Sequence, residues 1–330
     1  MAVAQEFFSE REHALDAASA ADYIRSLQDL FEGAVTLDQG GLKPAPYESG
    51  EIRYFYRGQS NGSYGLNSSL YRSLEEGISE NSTPRGIEKE MKAVEERIVQ
   101  EARAQGIGRN LTSLEVLTVL QHHLIPTRLI DVSASWKVAL YFASEENDTL
   151  DGRIFVVATR PSLWNKFPRS KGSSVEWPDS DEHPWQQTMW PVVLPFTDPR
   201  MISQQGYFFV GGLTTNTGGH HQYWNDIIKH PPRGGARRAS LTQQELRKVS
   251  TLMIKFPMLH DVVGVNPLTK LVKELKGRWT GVGLTIPVRG DLKPGIRRIL
   301  DKDHGINVDS IYPPIDESSR LLRHIARERA

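Results

Sequence analysis

Residues Gln121 to Ala143, QHHLIPTRLIDVSASWKVALYFA, constrain the fold of this chain more than any other stretch. Just upstream, Thr112-Ser113-Leu114-Glu115 has the S/T-x-x-E form of a capping box, in which hydroxyl and carboxylate each satisfy an orphan amide at a helix start. Leu114, Leu117, Val119, Leu120 and Leu124 then give a mostly one-sided apolar face. Pro126 closes this helix, because the residue before a proline is driven out of α geometry. A second helix is predicted from Ser133 or Ser135, either of which can cap it, with Trp136, Ala139, Leu140 and Ala143 at helical spacing. PTRLID is therefore a short link between two buried helices, and it carries an arginine and an aspartate. A partly buried arginine needs an anion nearby. Two readings follow. Arg128 and Asp131 pair with each other and hold the turn, or the knot of Gln121, His122, His123, Thr127, Arg128 and Asp131 lines a cleft.

Around this stretch the pattern is mixed. Residues 4–35 read as one or two amphipathic helices, the clearer with Tyr23, Ile24, Leu27, Leu30 and Phe31 on one face. IRYFYRGQ reads as an aromatic-rich strand and RIFVVAT as another, with further strands at the end of PRMISQQGYFFVGG and in TLMIKFP and GVGLTIP. Thr83-Pro84 starts a helix that runs to about Gln105. DLKPGIRRILDKDHGI and DESSRLLRHIARERA read as helices. The segment from about 160 to 200 is too long for a simple loop in a compact domain and reads as an insertion or a substrate lid. No internal repeat or clear linker divides the 330 residues, which favours a single α+β domain with a mixed or antiparallel sheet flanked by helices.

Composition narrows the chemistry. The formal net charge is zero, so no global field draws the chain to nucleic acid or membrane. The absence of cysteine excludes disulfides, thiolate metal sites and cysteine nucleophiles, and fits a reducing compartment. The first residues lack the apolar core of a signal peptide, and no run of about 18 apolar residues suits a membrane span. A cytoplasmic protein with no membrane contact is expected.

Arg57, at the end of the first strand and followed by Gly58, can present its guanidinium to a phosphate or carboxylate. The glycine removes bulk beside it. Alternation places Tyr54 and Tyr56 on one face and Phe55 and Arg57 on the other; an arginine sharing a face with an apolar residue is either paired or functional. Leu66, Leu70, Tyr71 and Arg72 read first as a loop packing its apolar residues on the core, and Arg72 can also serve as a second anion contact. His122 and His123 point about 100° apart on a helix, so they do not share a metal, and no metal site is expected. One of them can act as a general acid or base, or be held by Asp131. Gln204 and Gln205, ahead of Gly206, Tyr207 and Phe208, can bring amide hydrogen bonds and a stacking ring to a planar ligand. His220-His221 and the basic run from Arg233 to Arg238 read as a solvated loop. No Walker A loop, dinucleotide-binding glycine fingerprint or nucleophile elbow occurs.

These blocks together resemble the FRG domain. Tyr56-Arg57-Gly58 stands for the Phe-Arg-Gly motif, and Gln121-His122-His123-Leu124-Ile125-Pro126-Thr127-Arg128-Leu129-Ile130-Asp131 matches the family's most telling block, with Leu124 where glycine is usual. RMISQQGYFF and the tail HGINVDSIYPPIDESSRLL add to the likeness, which spans roughly 50–320. It implies a helical segment over 1–48 ahead of an FRG domain over 49–330, with the long insertion near 160–200. The strand-end Arg-Gly is also similar to the first motif of ADP-ribosyltransferases. This similarity implies NAD as co-substrate, and the FRG family's occurrence in bacteria and phages, including defence-associated neighbourhoods, implies an effector role in bacterial conflict or phage defence. Arg57, with Gly58 and Gln59, would hold the pyrophosphate. Gln121, His122, Thr127 and Arg128 would line the nicotinamide or acceptor side. Gln204 to Tyr207 would stand near the third motif. His122, Asp131 and Gln204 are the expected catalytic residues, and Tyr207 a ligand contact. Transferases usually carry a glutamate where Gln204 and Gln205 stand, and Asp131 is the carboxylate that could replace it. The acceptor would be a protein or nucleic acid. The alternative is a non-catalytic module that binds a nucleotide, nucleic acid or protein.

Overall fold

The structure, a computed structural model, describes residues 3–35, 52–75, 77, 84–166, 188–192, 199–214, 241, 243–259, 266–275 and 279–313. Six strands form one antiparallel sheet: β1 (Arg53–Gln59), β2 (Ile130–Ser133), β3 (Gly152–Thr159), β4 (Met189–Val192), β5 (Gly206–Gly211) and β6 (Gly281–Val288), in the order β4-β5-β2-β1-β3-β6. Helices flank it, so the fold is α+β. β3 is buried along its whole length, as expected of a strand covered on both faces.

The helix packed most extensively on β1 is α6 (Trp136–Ser144). Ser135 caps it, its hydroxyl accepting from the Val138 amide. Two glycines permit the close approach: a Cβ on Gly58 would lie 1.8 Å from the Ala139 carbonyl oxygen, and one on Gly152 would lie 2.2 Å from that of Ala143. Gly58 is thus required by helix packing. Outside α6 lie α2 (Ala20–Val35) and α10 (Lys293–His304). On the opposite face, Phe8 of α1 (Val3–Ser9) meets Phe155 and Phe256 edge-on.

A second apolar cluster forms where α4 (Pro84–Ala104) and α5 (Ser113–His122) cover β4 and β5, joining Val99, Leu117, Leu120, Trp190, Phe208 and Val210. The Thr112–Glu115 capping box starts α5 as expected. The helix ends earlier than Pro126 requires, at His122, and Leu124 takes a left-handed φ of 62° with 80% of its surface exposed. Leu124 therefore does not extend the apolar face.

Two other expectations change. PTRLID is more than a link, because Ile130–Ser133 pairs with β5 along its length and becomes a central strand. TLMIKFP forms no strand and makes only a bridge from Lys255 to Val282. The segment near 160–200 contributes a 3₁₀ turn, Pro161–Lys166, and the edge strand β4. The rest of that segment over 167–187 and 193–198, His220-His221, the basic run at 233–238 and the tail helix DESSRLLRHIARERA lie outside the described residues.

Candidate functional site

β1 and β2 meet at one residue pair, Tyr56 with Ser133, and separate beyond it. Continuing that register would set Gly58 opposite Asp131, but no ladder bond forms there. Arg57 fills the gap instead: its Nη1 donates to the Asp131 carbonyl oxygen at 2.6 Å and lies 3.5 Å from Asp131 Oδ2. A side chain thus takes over from the sheet ladder, which leaves the sheet open at its centre.

A cavity of about 410 Å³ occupies this opening, at the seam between the two apolar clusters. That volume lies within the roughly 300–1,000 Å³ typical of small-molecule sites. β1 contributes Tyr56, Arg57 and Gly58; β2 contributes Asp131, Val132 and Ser133; and β5 contributes Gly206, Tyr207 and Phe208. The end of α5 adds Gln121 and His122, followed by Leu124 and Ile125, and α6 adds Ala139 and Phe142. Ser69 and Arg72 come from α3 (Ser69–Glu75), Arg200 and Met201 from α7 (Pro199–Ser203), and Gln204 follows them.

A hydrogen-bond chain fixes the polar wall. Gln121 Nε2 donates to Asp131 Oδ2 at 2.9 Å, while Gln121 Oε1 accepts from Thr127 Oγ1 at 2.7 Å. The Thr127 amide donates to Ser69 Oγ at 3.1 Å, which ties the chain to α3. Each amide or hydroxyl orients the next, so Asp131 is presented toward the cavity in one position although its side chain is 55% exposed. Arg57 Nε is buried and makes no hydrogen bond among the described residues.

Arg128 has a different role. It is 2% exposed, and its Nε and Nη2 grip Glu95, itself fully buried, at 2.6–2.9 Å, while Nη1 bonds Glu88. Burial alone would lower its pKa, but the two carboxylates outweigh that and hold it above the ordinary arginine value. The expected Arg128–Asp131 pair is not formed, because each residue finds its partner on another element. Arg128 pins the start of β2 to α4, behind the cavity wall. Thr127 and Gln59 are likewise absent from the lining: Thr127 is fully buried in the chain to Gln121, and Gln59 Nε2 donates to the Gly65 carbonyl at 3.0 Å. Of the ten site residues read from the sequence, the cavity brings together Arg57, Gly58, Gln121, His122, Asp131, Gln204 and Tyr207.

The far wall is set by the C-terminal end of the described chain. Gln204 Nε2 donates to the Ile311 carbonyl at 3.1 Å, so its amide is engaged with α11 (Val308–Ile311). The Arg200 guanidinium lies 5.0 Å over the Tyr312 ring, and Tyr312 donates to Glu145 at 3.2 Å. Burial raises the Glu145 carboxyl, an effect the Tyr312 bond partly offsets. His122 packs edge-on against Phe208 at 5.6 Å, and Tyr207 against Phe55 at 5.2 Å. Sequence reading did not reach Tyr56, Ser69, Ser133, Ala139 or Phe142 as lining residues. They become site residues through the packing of β1, β2, α3 and α6 around one cavity. No group of three or more His, Asp or Glu among the described residues is arranged to hold a metal ion.

Residues 52–152 match the family model of the FRG domain. The chain carries an FRG domain. No curated protein and no solved structure matches the chain. The matched residues of the FRG domain supply Arg57, Arg72, Gln121, His122 and Asp131, whereas Arg200, Gln204 and Tyr207 come from beyond them. Among the described residues, no helix is long and apolar enough to cross a membrane.

Proposed function

We propose that the cavity beside the FRG motif binds NAD and that the chain transfers ADP-ribose to an acceptor. The observation that carries this reading is the Arg57–Asp131 pair at the split between β1 and β2. It sets a cation with a buried unused donor next to a fixed carboxylate. Arg57 takes a phosphate, and Tyr207 and Phe142 offer ring faces to the base or nicotinamide. Asp131, held by Gln121, faces the positive charge that develops on the ribose as the bond from its C1′ to the nicotinamide nitrogen breaks. The bonding pair leaves with nicotinamide, the acceptor attacks C1′, and the acceptor proton passes to His122 or to solvent. With water as acceptor the products are ADP-ribose, nicotinamide and a proton. An effector of bacterial conflict using this chemistry would arrest growth when expressed.

A second reading, a nucleotide-binding module without turnover, is favoured by two contacts. Asp131 is already engaged by Arg57 and Gln121, and the Gln204 amide is engaged by the Ile311 carbonyl.

Thermal melting with NAD, ADP-ribose and ATP tests binding, since a ligand of the folded state raises the midpoint by mass action. Nicotinamide release tests turnover. The transferase reading expects an NAD-dependent shift that Arg57→Ala removes, together with nicotinamide release that Asp131→Asn abolishes. A shift without release selects the binding module. No shift with any of the three nucleotides overturns both readings.

A further inference from the structure

The cavity holds a cation that neither the FRG motif nor the polar knot assigns. Arg72 lies on α3, one turn beyond Ser69, and lines the same cavity as Arg57. Its Nη1 donates to the Asn67 carbonyl at 3.0 Å, which holds the guanidinium at the cavity edge and leaves its other N–H groups undirected by that bond. Arg57 spends Nη1 on Asp131 and keeps a buried Nε that bonds nothing. Two arginines, one from β1 and one from α3, thus line the same cavity as one carboxylate, Asp131.

We propose that Arg72 and Arg57 form a two-armed clamp for a phosphate group, seated between β1 and α3. This deepens the nucleotide reading above and rests on it for the identity of the whole ligand.

Two like charges facing one cavity repel each other, and a single half-exposed carboxylate leaves a net positive charge among the three groups. An anion placed between them relieves that repulsion. Although Arg72 as a residue is exposed, desolvation of its guanidinium beside the cavity wall, and then the charge of Arg57, lower its pKa, while Asp131 works in the opposite direction. Arginine remains charged under such shifts. The two forks together offer more donors than one carboxylate can accept, whereas a phosphate presents several oxygens over a wider arc. Leu124 and Ile125 add an apolar lip to the same cavity.

Inorganic pyrophosphate is the probe, with acetate as the carboxylate comparator, each titrated calorimetrically into the full chain at low salt. Wild type should bind pyrophosphate and show no comparable heat with acetate. Arg72→Ala should weaken pyrophosphate at least about tenfold, as expected for loss of a charged hydrogen-bond partner. Arg72→Lys should recover part of that loss, and raising the salt should weaken wild type more than Arg72→Ala. The unliganded melting midpoint of Arg72→Ala should match wild type, because the side chain is exposed and its bond to Asn67 is a surface contact. Equal pyrophosphate affinity in wild type and Arg72→Ala overturns the clamp, as does no binding by wild type. Pyrophosphate binding lost in Arg72→Ala, with no response to NAD, keeps the clamp and rejects NAD as its ligand.

Discussion

Two arginine–carboxylate clusters stand at either end of the same four residues, Arg128 to Asp131, and they serve opposite ends. Arg128 is 2% exposed, and its three nitrogens are directed at Glu95 and Glu88 of α4. The Asp131 side chain is 55% exposed, and its carboxylate shares one long contact with Arg57, whose Nε makes no hydrogen bond among the described residues. The chemistry of the pairs is the same; burial and saturation differ. A closed, desolvated cluster locks an element in place and has nothing left to offer a ligand. An open cluster beside a cavity contributes little to folding and retains donors and a carboxylate for binding.

The largest test of this contrast is Arg128→Met. It strands two carboxylates, one of them fully buried, and should cost about 3–5 kcal/mol of stability in denaturant melts. Adding Glu95→Leu to Arg128→Met should recover part of that loss, since removing both partners spares an uncompensated buried charge. A single variant as stable as wild type would break the comparison.

Gly58→Ala sharpens it from the neighbouring position. The added Cβ would strike backbone of α6, which cannot yield as a side-chain tip could, so a loss of about 1–3 kcal/mol or more is expected. The glycine of the FRG motif then belongs with Arg128 on the side of stability, although it borders Arg57. Arg57→Ala should move the unliganded midpoint by about 1 kcal/mol or less, as for a partly exposed ion pair, while removing the response to NAD. A large loss of stability here, with ligand response retained, would reverse the roles of the two clusters.

The smallest expected effect is at the rim. Leu124 holds a left-handed φ of 62° with its side chain mostly in solvent. This conformation costs an L-residue about 1–2 kcal/mol, part of which glycine returns as unfolded-chain entropy. Leu124→Gly should therefore stabilise by about 0.5–1 kcal/mol without changing the Arg128 cluster. The usual glycine of the resembled family motif fits this backbone.

Local chemistry wrote several elements into the chain. The Thr112–Glu115 box starts α5, Ser135 caps α6, and the aromatic run at 53–59 forms β1, because each depends on neighbours within about four residues. The gathering of Arg57, Gln121, His122, Asp131, Gln204 and Tyr207 into one cavity was foreshadowed by polar residues standing where apolar patterns break. What remained hidden has long range in common. Four residues, IDVS, carry too short a pattern to announce a strand, and β2 exists because β5 supplies four partners for it. Arg128 finds Glu95 and Glu88 at separations of 33 and 40 residues, and Arg57 finds Asp131 at 74. The sequence by itself determined which residues carry charge and where helices begin, since those properties are local. Only the tertiary structure decided which arginine was sealed into the protein and which was left open to a ligand. That choice depends on how far β1 and β2 stay paired and on what α4 brings against them, and neither is encoded within a single segment.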